Sequence, residues 1–211
     1  LGGGCVGTSN LLAGNLFGIV VMGKQSHGWI MRFDSERESF EAFARTQPNN
    51  CVFLVDTYDS LEGLRHAVEV GKGLRQSGHR MIGIRLDSGD LTYLSIEARK
   101  ILDENGFADA SILGSNELDE HVITSLKEQG AKINVWGVGG RLATAFDQPA
   151  LGGVYKLTAI RTPPGAWRHK IKLSEQIAKI SIPGIRQVRR FHANDQFIAD
   201  AIFDELLGMD E

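Results

Sequence analysis

The sequence predicts an α/β fold: an irregular TIM-like (β/α) barrel, incomplete over these 211 residues, with a C-terminal β-hairpin and helix appendage. Three observations carry this expectation. Apolar, β-branched runs that end in small or polar residues alternate with stretches of helical period. Glycines punctuate the ends of those stretches, and the alternation stops at Thr162-Pro163-Pro164-Gly165. Continuous apolar runs of this kind mark strands buried on both faces of a parallel sheet. A doubly wound sheet would show the same alternation. A complete barrel takes about 250 residues, so a barrel here would lack strands on its N-terminal side.

Taken in order, strands are expected at Ile19–Gly23, Cys51–Asp56, Met81–Asp87, Ala110–Ser115, Lys132–Gly137 and Gly153–Ile160. Amphipathic helices are expected at Glu36–Arg45, Leu61–Ser77, Tyr93–Asn105 and Leu118–Gln129. Their ends are well signalled. Asp59 or Ser60 can cap the second helix, Asp119 and Glu120 suit the first turn of the fourth, and Gly78, Gly106 and Gly130 follow helix ends. Beyond Gly165, a Lys170–Leu173 strand, a Pro183-Gly184 turn and a Gln187–Phe191 strand read as a hairpin, and a last helix is expected from Asp195 to Leu207. The domain division is therefore 1–165 for the barrel and 166–211 for the appendage.

Composition excludes several classes. With 42% hydrophobic and 23% charged residues the chain is neither disordered nor fibrous. A net charge of −3 gives no electrostatic footprint for nucleic acid or an anionic membrane. Arg186, Arg189 and Arg190 form a local basic cluster, read as a solvated strand edge or an internal ion pair. Cys5 and Cys51 fit no metal spacing, which makes a reduced, cytoplasmic setting the default. No apolar run reaches the roughly 20 residues needed to span a bilayer. The opening glycine cluster, with no initiator Met, reads as the interior of a longer protein.

Parallel α/β folds bind ligands at the C-terminal ends of their strands, so the polar residues there are the candidates. The third run ends Arg85-Leu86-Asp87-Ser88-Gly89-Asp90. A carboxylate there can accept both hydroxyls of a ribose, and the arginine can hold a phosphate or carboxylate. An Arg/Asp ion pair with a helix cap is an equally economical reading. The fourth run ends Gly114-Ser115-Asn116 and the fifth Gly137-Val138-Gly139-Gly140, where exposed backbone amides suit a phosphate, or a plain tight turn. His27 follows the first run and suits acid, base or phosphate-accepting chemistry, or a purely polar role. Asp56 and Asp59 lie at the mouth of the second, where a helix cap competes with Mg²⁺ or ligand contact.

Several segments resemble the nicotinate phosphoribosyltransferase family: Gly7-Thr8-Ser9-Asn10-Leu11-Leu12-Ala13-Gly14, Leu54–Asp59, Arg85–Leu91, Trp136–Gly140 and Lys170–Ser174. Their order matches over nearly the whole chain. The resemblance implies a type II phosphoribosyltransferase fold, with a barrel beside a smaller N-terminal domain that these residues lack and active sites completed across a homodimer. It implies nicotinate and phosphoribosyl pyrophosphate (PRPP) as substrates, ATP as co-substrate, Mg²⁺ with PRPP and ATP, and nicotinate mononucleotide for NAD synthesis as product. It further implies His27 as the residue phosphorylated by ATP, Arg85 as a contact to nicotinate or PRPP phosphates, and Asp87 as the holder of the ribose. Ser9, Asn10, Ser88, Ser115, Asn116, Gly137, Gly139 and Gly140 would bind substrate or phosphate, and Asp56 and Asp59 are the candidate metal ligands. The family usually has Gly-Thr-x-Ala-His-Ser around its histidine. This chain keeps the histidine but departs from that pattern, with Lys24 for the Thr, Ser26 for the Ala and Gly28 for the Ser. Two alternatives follow: a relative acting on nicotinamide or another base, and a non-catalytic homologue that binds a phosphorylated ligand.

Overall fold

The computed structural model describes residues 4–23, 25–144, 146, 155–173 and 180–209. Lys24, Gly153 and Ser174, which figure in the expectations above, lie outside the described residues.

The centre is a four-stranded parallel sheet in the order β1-β2-β3-β4, formed by Cys51–Leu54, Met81–Leu86, Ser111–Ser115 and Val135–Gly137. Strands that neighbour in sequence neighbour in space, and helices connect them: α4 (Ser60–Gln76), α5 (Leu91–Glu104) and α6 (Glu120–Glu128). Earlier come α1 (Leu11–Phe17), α2 (His27–Ile30) and α3 (Glu36–Thr46), and α7 (Gly140–Ala143) follows β4. The four amphipathic helices expected between Glu36 and Gln129 are all present to within a turn. Their side-chain caps explain where they start: Ser35 accepts from Glu38 N, Asp59 from Leu61 N and Glu62 N, Asp90 from Tyr93 N, and Asp119 from Val122 N.

The core lies between the sheet and α3, α4 and α5. Phe40 and Phe53 are wholly buried with ring centroids 5.0 Å apart, each worth about 1.5–3 kcal/mol of burial. Two glycines permit close approach. A Cβ on Gly63 would lie 2.1 Å from Val55 O, and one on Gly83 would lie 2.2 Å from Ser111 O, so α4 can rest against the end of β1 and β3 can lie close beside β2.

The ends of the chain depart from the expectations. Ile19–Gly23 is no sheet strand; Val21 forms a lone parallel bridge with Thr8, and α1 lies between them. The described part of Gly153–Ile160 supplies only β5 (Ala159–Ile160), which pairs antiparallel with β6 (Arg168–His169) because the Pro-Pro-Gly turn returns the chain at once. The parallel sheet is therefore open, with four strands rather than a closed barrel among the described residues.

Lys170–Leu173 is not a strand, and the last helix is absent. In its place β7 (Arg186–Ala193) and β8 (Gln196–Asp204) form an antiparallel hairpin. Asn194 and Asp195 turn it with φ of 49° and 62°, the two left-handed residues of the turn that matches strand twist. The basic cluster sits on β7, where Arg190 pairs with Asp200 across the hairpin. Among the described residues no helix is long and apolar enough to cross a membrane.

Candidate functional site

Register brings the strand ends together. Leu54 pairs with Arg85, Leu86 with Gly114, and Ser115 with Gly137, so Asp56, Asp87, Asn116 and Val138 leave the sheet at one edge. A cavity of about 410 Å³ opens there. Arg85, Asp87, Ser115 and Asn116 line it, with Gly137, Gly139 and Gly140 opposite and Ser9 reaching in from the N-terminal arm. A Cβ on Gly139 or Gly140 would meet nothing within 4 Å, so the space over this backbone is open to a ligand.

Asp87 is the hub. Its Oδ1 accepts from Arg85 Nη2 at 2.7 Å and from Ser115 Oγ at 2.5 Å, while its Oδ2 lies 3.7 Å from His27 Nε2. Burial alone would raise its pKa. The facing His27, the Arg85 charge and the Ser115 hydroxyl outweigh that and hold the carboxyl well below the usual carboxylate range. Asp87 is thus an anion at any physiological pH.

Arg85 is oriented on three sides, by Asp87, by Ser115 Oγ (2.8 Å from Nε) and by Gln25 O (3.3 Å from Nη1). A guanidinium has five N–H donors, so two remain for a ligand. His27 begins α2, which Ser26 caps. Its Nδ1 lies 3.0 Å from the hydroxyl of the fully buried Thr57. The Asp87 carboxylate favours the tautomer with the proton on Nε2, for which Thr57 donates to Nδ1.

Asp56 works inside the protein. Its Oδ2 accepts from Asp87 N at 2.9 Å and from Ser88 Oγ, which locks the loop that carries Asp87. Its buried Oδ1 has no hydrogen-bond partner among the described residues. Ser88 is buried in this contact and does not line the cavity. Asp59 is exposed and spent as the cap of α4, and Asn10 caps α1. Behind Asp56, the buried Glu36 lies 3.0 Å from His66 Nδ1. Burial raises the Glu36 pKa; His66 opposes the shift and the charges of Asp56 and Asp59 add to it.

No group of three or more His, Cys, Asp or Glu suited to a metal ion occurs among the described residues. Sequence reasoning missed Thr57 as the partner of His27, Gln25 as a support for Arg85, and Glu117 as a cavity residue. Thr57 and Gln25 act across a distance in sequence that no local pattern reveals, whereas Glu117 directly follows Asn116 at the end of β3.

Comparison with known proteins identifies the family. The model of the nicotinate phosphoribosyltransferase (NAPRTase) family matches residues 3–181. A nicotinate phosphoribosyltransferase of Bacillus subtilis is 48% identical over 96% of this chain and 42% of its own length. One from Dictyostelium discoideum is 36% identical over the same shares. The chain thus spans about two fifths of the length of these curated relatives. In fold it resembles the crystal structure of nicotinate phosphoribosyltransferase from Porphyromonas gingivalis, with a TM-score of 0.67 and 21% identity over 83% of this chain and 48% of that one.

Proposed function

Because the chain belongs to the nicotinate phosphoribosyltransferase family, we propose that it carries the phosphoribosyl-transfer site of an enzyme that joins nicotinate to PRPP. The reaction yields nicotinate mononucleotide and pyrophosphate for NAD salvage in the cytoplasm. The observation that carries this reading is the ionised Asp87, held by Arg85 and Ser115, at the floor of a cavity walled by open glycine backbone.

The chemistry follows from the arrangement. The pyridine nitrogen attacks C1 of the ribose as the C1–O bond to pyrophosphate breaks, and positive charge develops on the ring. Asp87 Oδ2 accepts the ribose hydroxyls and its fixed charge opposes that positive charge, so catalysis is positioning and electrostatics. Arg85 places Asp87 and turns its two remaining donors to the substrate anions. The backbone of Ser115–Asn116 and Gly137–Gly140 receives the 5′-phosphate, with Ser9 at the rim.

In this reading the Nδ1 lone pair of His27, once the Thr57 hydroxyl turns from it, takes the γ-phosphoryl group of ATP as ADP leaves, while Nε2 keeps its proton towards Asp87; that step makes the enzyme of ligase type as well as a glycosyltransferase. Mg²⁺ arrives on the phosphates of PRPP and ATP, as an ion that keeps waters and phosphate oxygens for most of its shell. The described residues build no cage for it: Asp59 is a cap and Asp56 Oδ2 is used within the protein. The open four-stranded sheet is part of a barrel, residues 1–165 belong to that catalytic unit with 166–211 appended, and the cavity is completed by the rest of the enzyme within a homodimer. Formation of labelled nicotinate mononucleotide from nicotinate and PRPP by the intact protein, with nicotinamide as the competing base, tests the proposal. Exclusive use of nicotinamide would overturn the choice of substrate.

A further inference from the structure

One cation beside the cavity has no part in the chemistry above. Arg141 follows Gly140 directly and is about a quarter exposed. Its Nη1 donates to Asp119 Oδ2, and the other oxygen of Asp119 caps α6 by accepting from Val122 N at 2.8 Å. Its Cζ lies 4.2 Å over the Phe146 ring, which fixes the plane of the guanidinium. The Nε edge is left over: Nε is buried and has no hydrogen-bond partner among the described residues.

The group nearest that edge is the carboxylate of Glu117, whose Oε2 lies 3.8 Å from Nε, too far for a hydrogen bond. Glu117 lines the cavity, yet its side chain is 74% exposed. Its backbone is left-handed (φ 46°) and follows a left-handed Asn116 (φ 100°), a pairing that L-residues adopt rarely and that clusters at ligand sites. A carboxylate at the mouth of an anion cavity repels an incoming phosphate unless it moves. Here it stands beside the unfilled edge of an arginine, the place a phosphate oxygen would take.

We propose that Arg141 is a phosphate-binding residue of this cavity, and that Glu117 holds the anion's place until a sugar phosphomonoester displaces it. The inference rests on the phosphoribosyl-transfer reading and adds to it a residue that sets affinity for the phosphate end of the substrate. Glu117 then acts as an internal competitor: removing its charge strengthens binding, whereas removing Arg141 weakens it. A purely structural clamp between the two loops predicts no gain from either change.

Calorimetric titration of the intact protein with ribose 5-phosphate and, separately, with ADP tests this without turnover. Glu117→Gln leaves the Arg141–Asp119 contact whole and should tighten ribose 5-phosphate by at least about threefold; Arg141→Gln should weaken it by at least about tenfold, with Arg141→Lys between Arg141→Gln and wild type. Unchanged or weaker binding in Glu117→Gln overturns the proposal even if Arg141→Gln misfolds. A response confined to ADP overturns the assignment to the sugar phosphate. Ribose 5-phosphate binding that follows these signs in a protein that makes no nicotinate mononucleotide would count against the functional reading alone.

Discussion

Replacing Asp87 by Asn keeps the shape and removes the charge. Asp87 Oδ1 is taken by Arg85 and Ser115, which leaves Oδ2 as the oxygen to meet the ribose in the proposed reaction. An asparagine that keeps its carbonyl towards Arg85 presents an NH₂ donor where the ribose needs an acceptor. If it turns over, it sets that NH₂ against the guanidinium. Either way one charge-assisted hydrogen bond to substrate is lost, worth about 1.5–3 kcal/mol. At about 1.4 kcal/mol per factor of ten, PRPP should bind roughly tenfold to a hundredfold more weakly. The assay is calorimetric titration of PRPP into the intact protein and the variant at fixed Mg²⁺ and ionic strength, with thermal unfolding to confirm that both are folded. A folded Asp87→Asn protein whose PRPP affinity stays within about twofold of wild type would refute the role given to this carboxylate.

Two further predictions concern stability and reactivity. Glu36 has a folded-state pKa above its ordinary value of 4.5, so the stability linked to its protonated form is complete below that value and is lost as pH rises through the folded value. Glu36→Gln should flatten that decline and unfold at higher denaturant than wild type at neutral pH; parallel pH profiles of the two proteins would contradict this. Burial pushes the Cys51 thiol up to about 11 while Cys5 is exposed, so a thiol reagent at pH 8 should label Cys5 alone in the native protein and both on unfolding. Rapid labelling of Cys51 in the folded state would show that the core around it opens.

The strand ends were legible because their polar residues interrupt apolar runs, and the helices because of their period, with Asp59 and Asp119 marking two starts and Gly78, Gly106 and Gly130 following the ends; the caps Ser35 and Asp90 emerge only in the structure. The site could be read in outline, since topology alone brings Arg85, Asp87, Ser115 and the glycine loop to one edge. What it could not reveal was which carboxylate faces outward: Asp56 and Asp59 look alike in sequence, yet one locks the Asp87 loop and the other caps α4. The last helix failed for a different reason. Ile198 and Ile202 are one helical turn apart and imitate an amphipathic helix, but Asn194-Asp195 is a hairpin turn, and strand pairing across it prevails.

The ATP-dependent part of the account depends on His27, with Nδ1 held by Thr57 and Nε2 facing Asp87. ATP hydrolysis and nicotinate mononucleotide formation, measured side by side in the intact wild type and His27→Ala, test it most directly. The account predicts ATP-stimulated synthesis with accompanying hydrolysis in the wild type. In His27→Ala it predicts slow synthesis that no longer responds to ATP, and no hydrolysis above background. ATP stimulation that persists in His27→Ala, or a wild type that makes no nicotinate mononucleotide from nicotinate and PRPP, would contradict it.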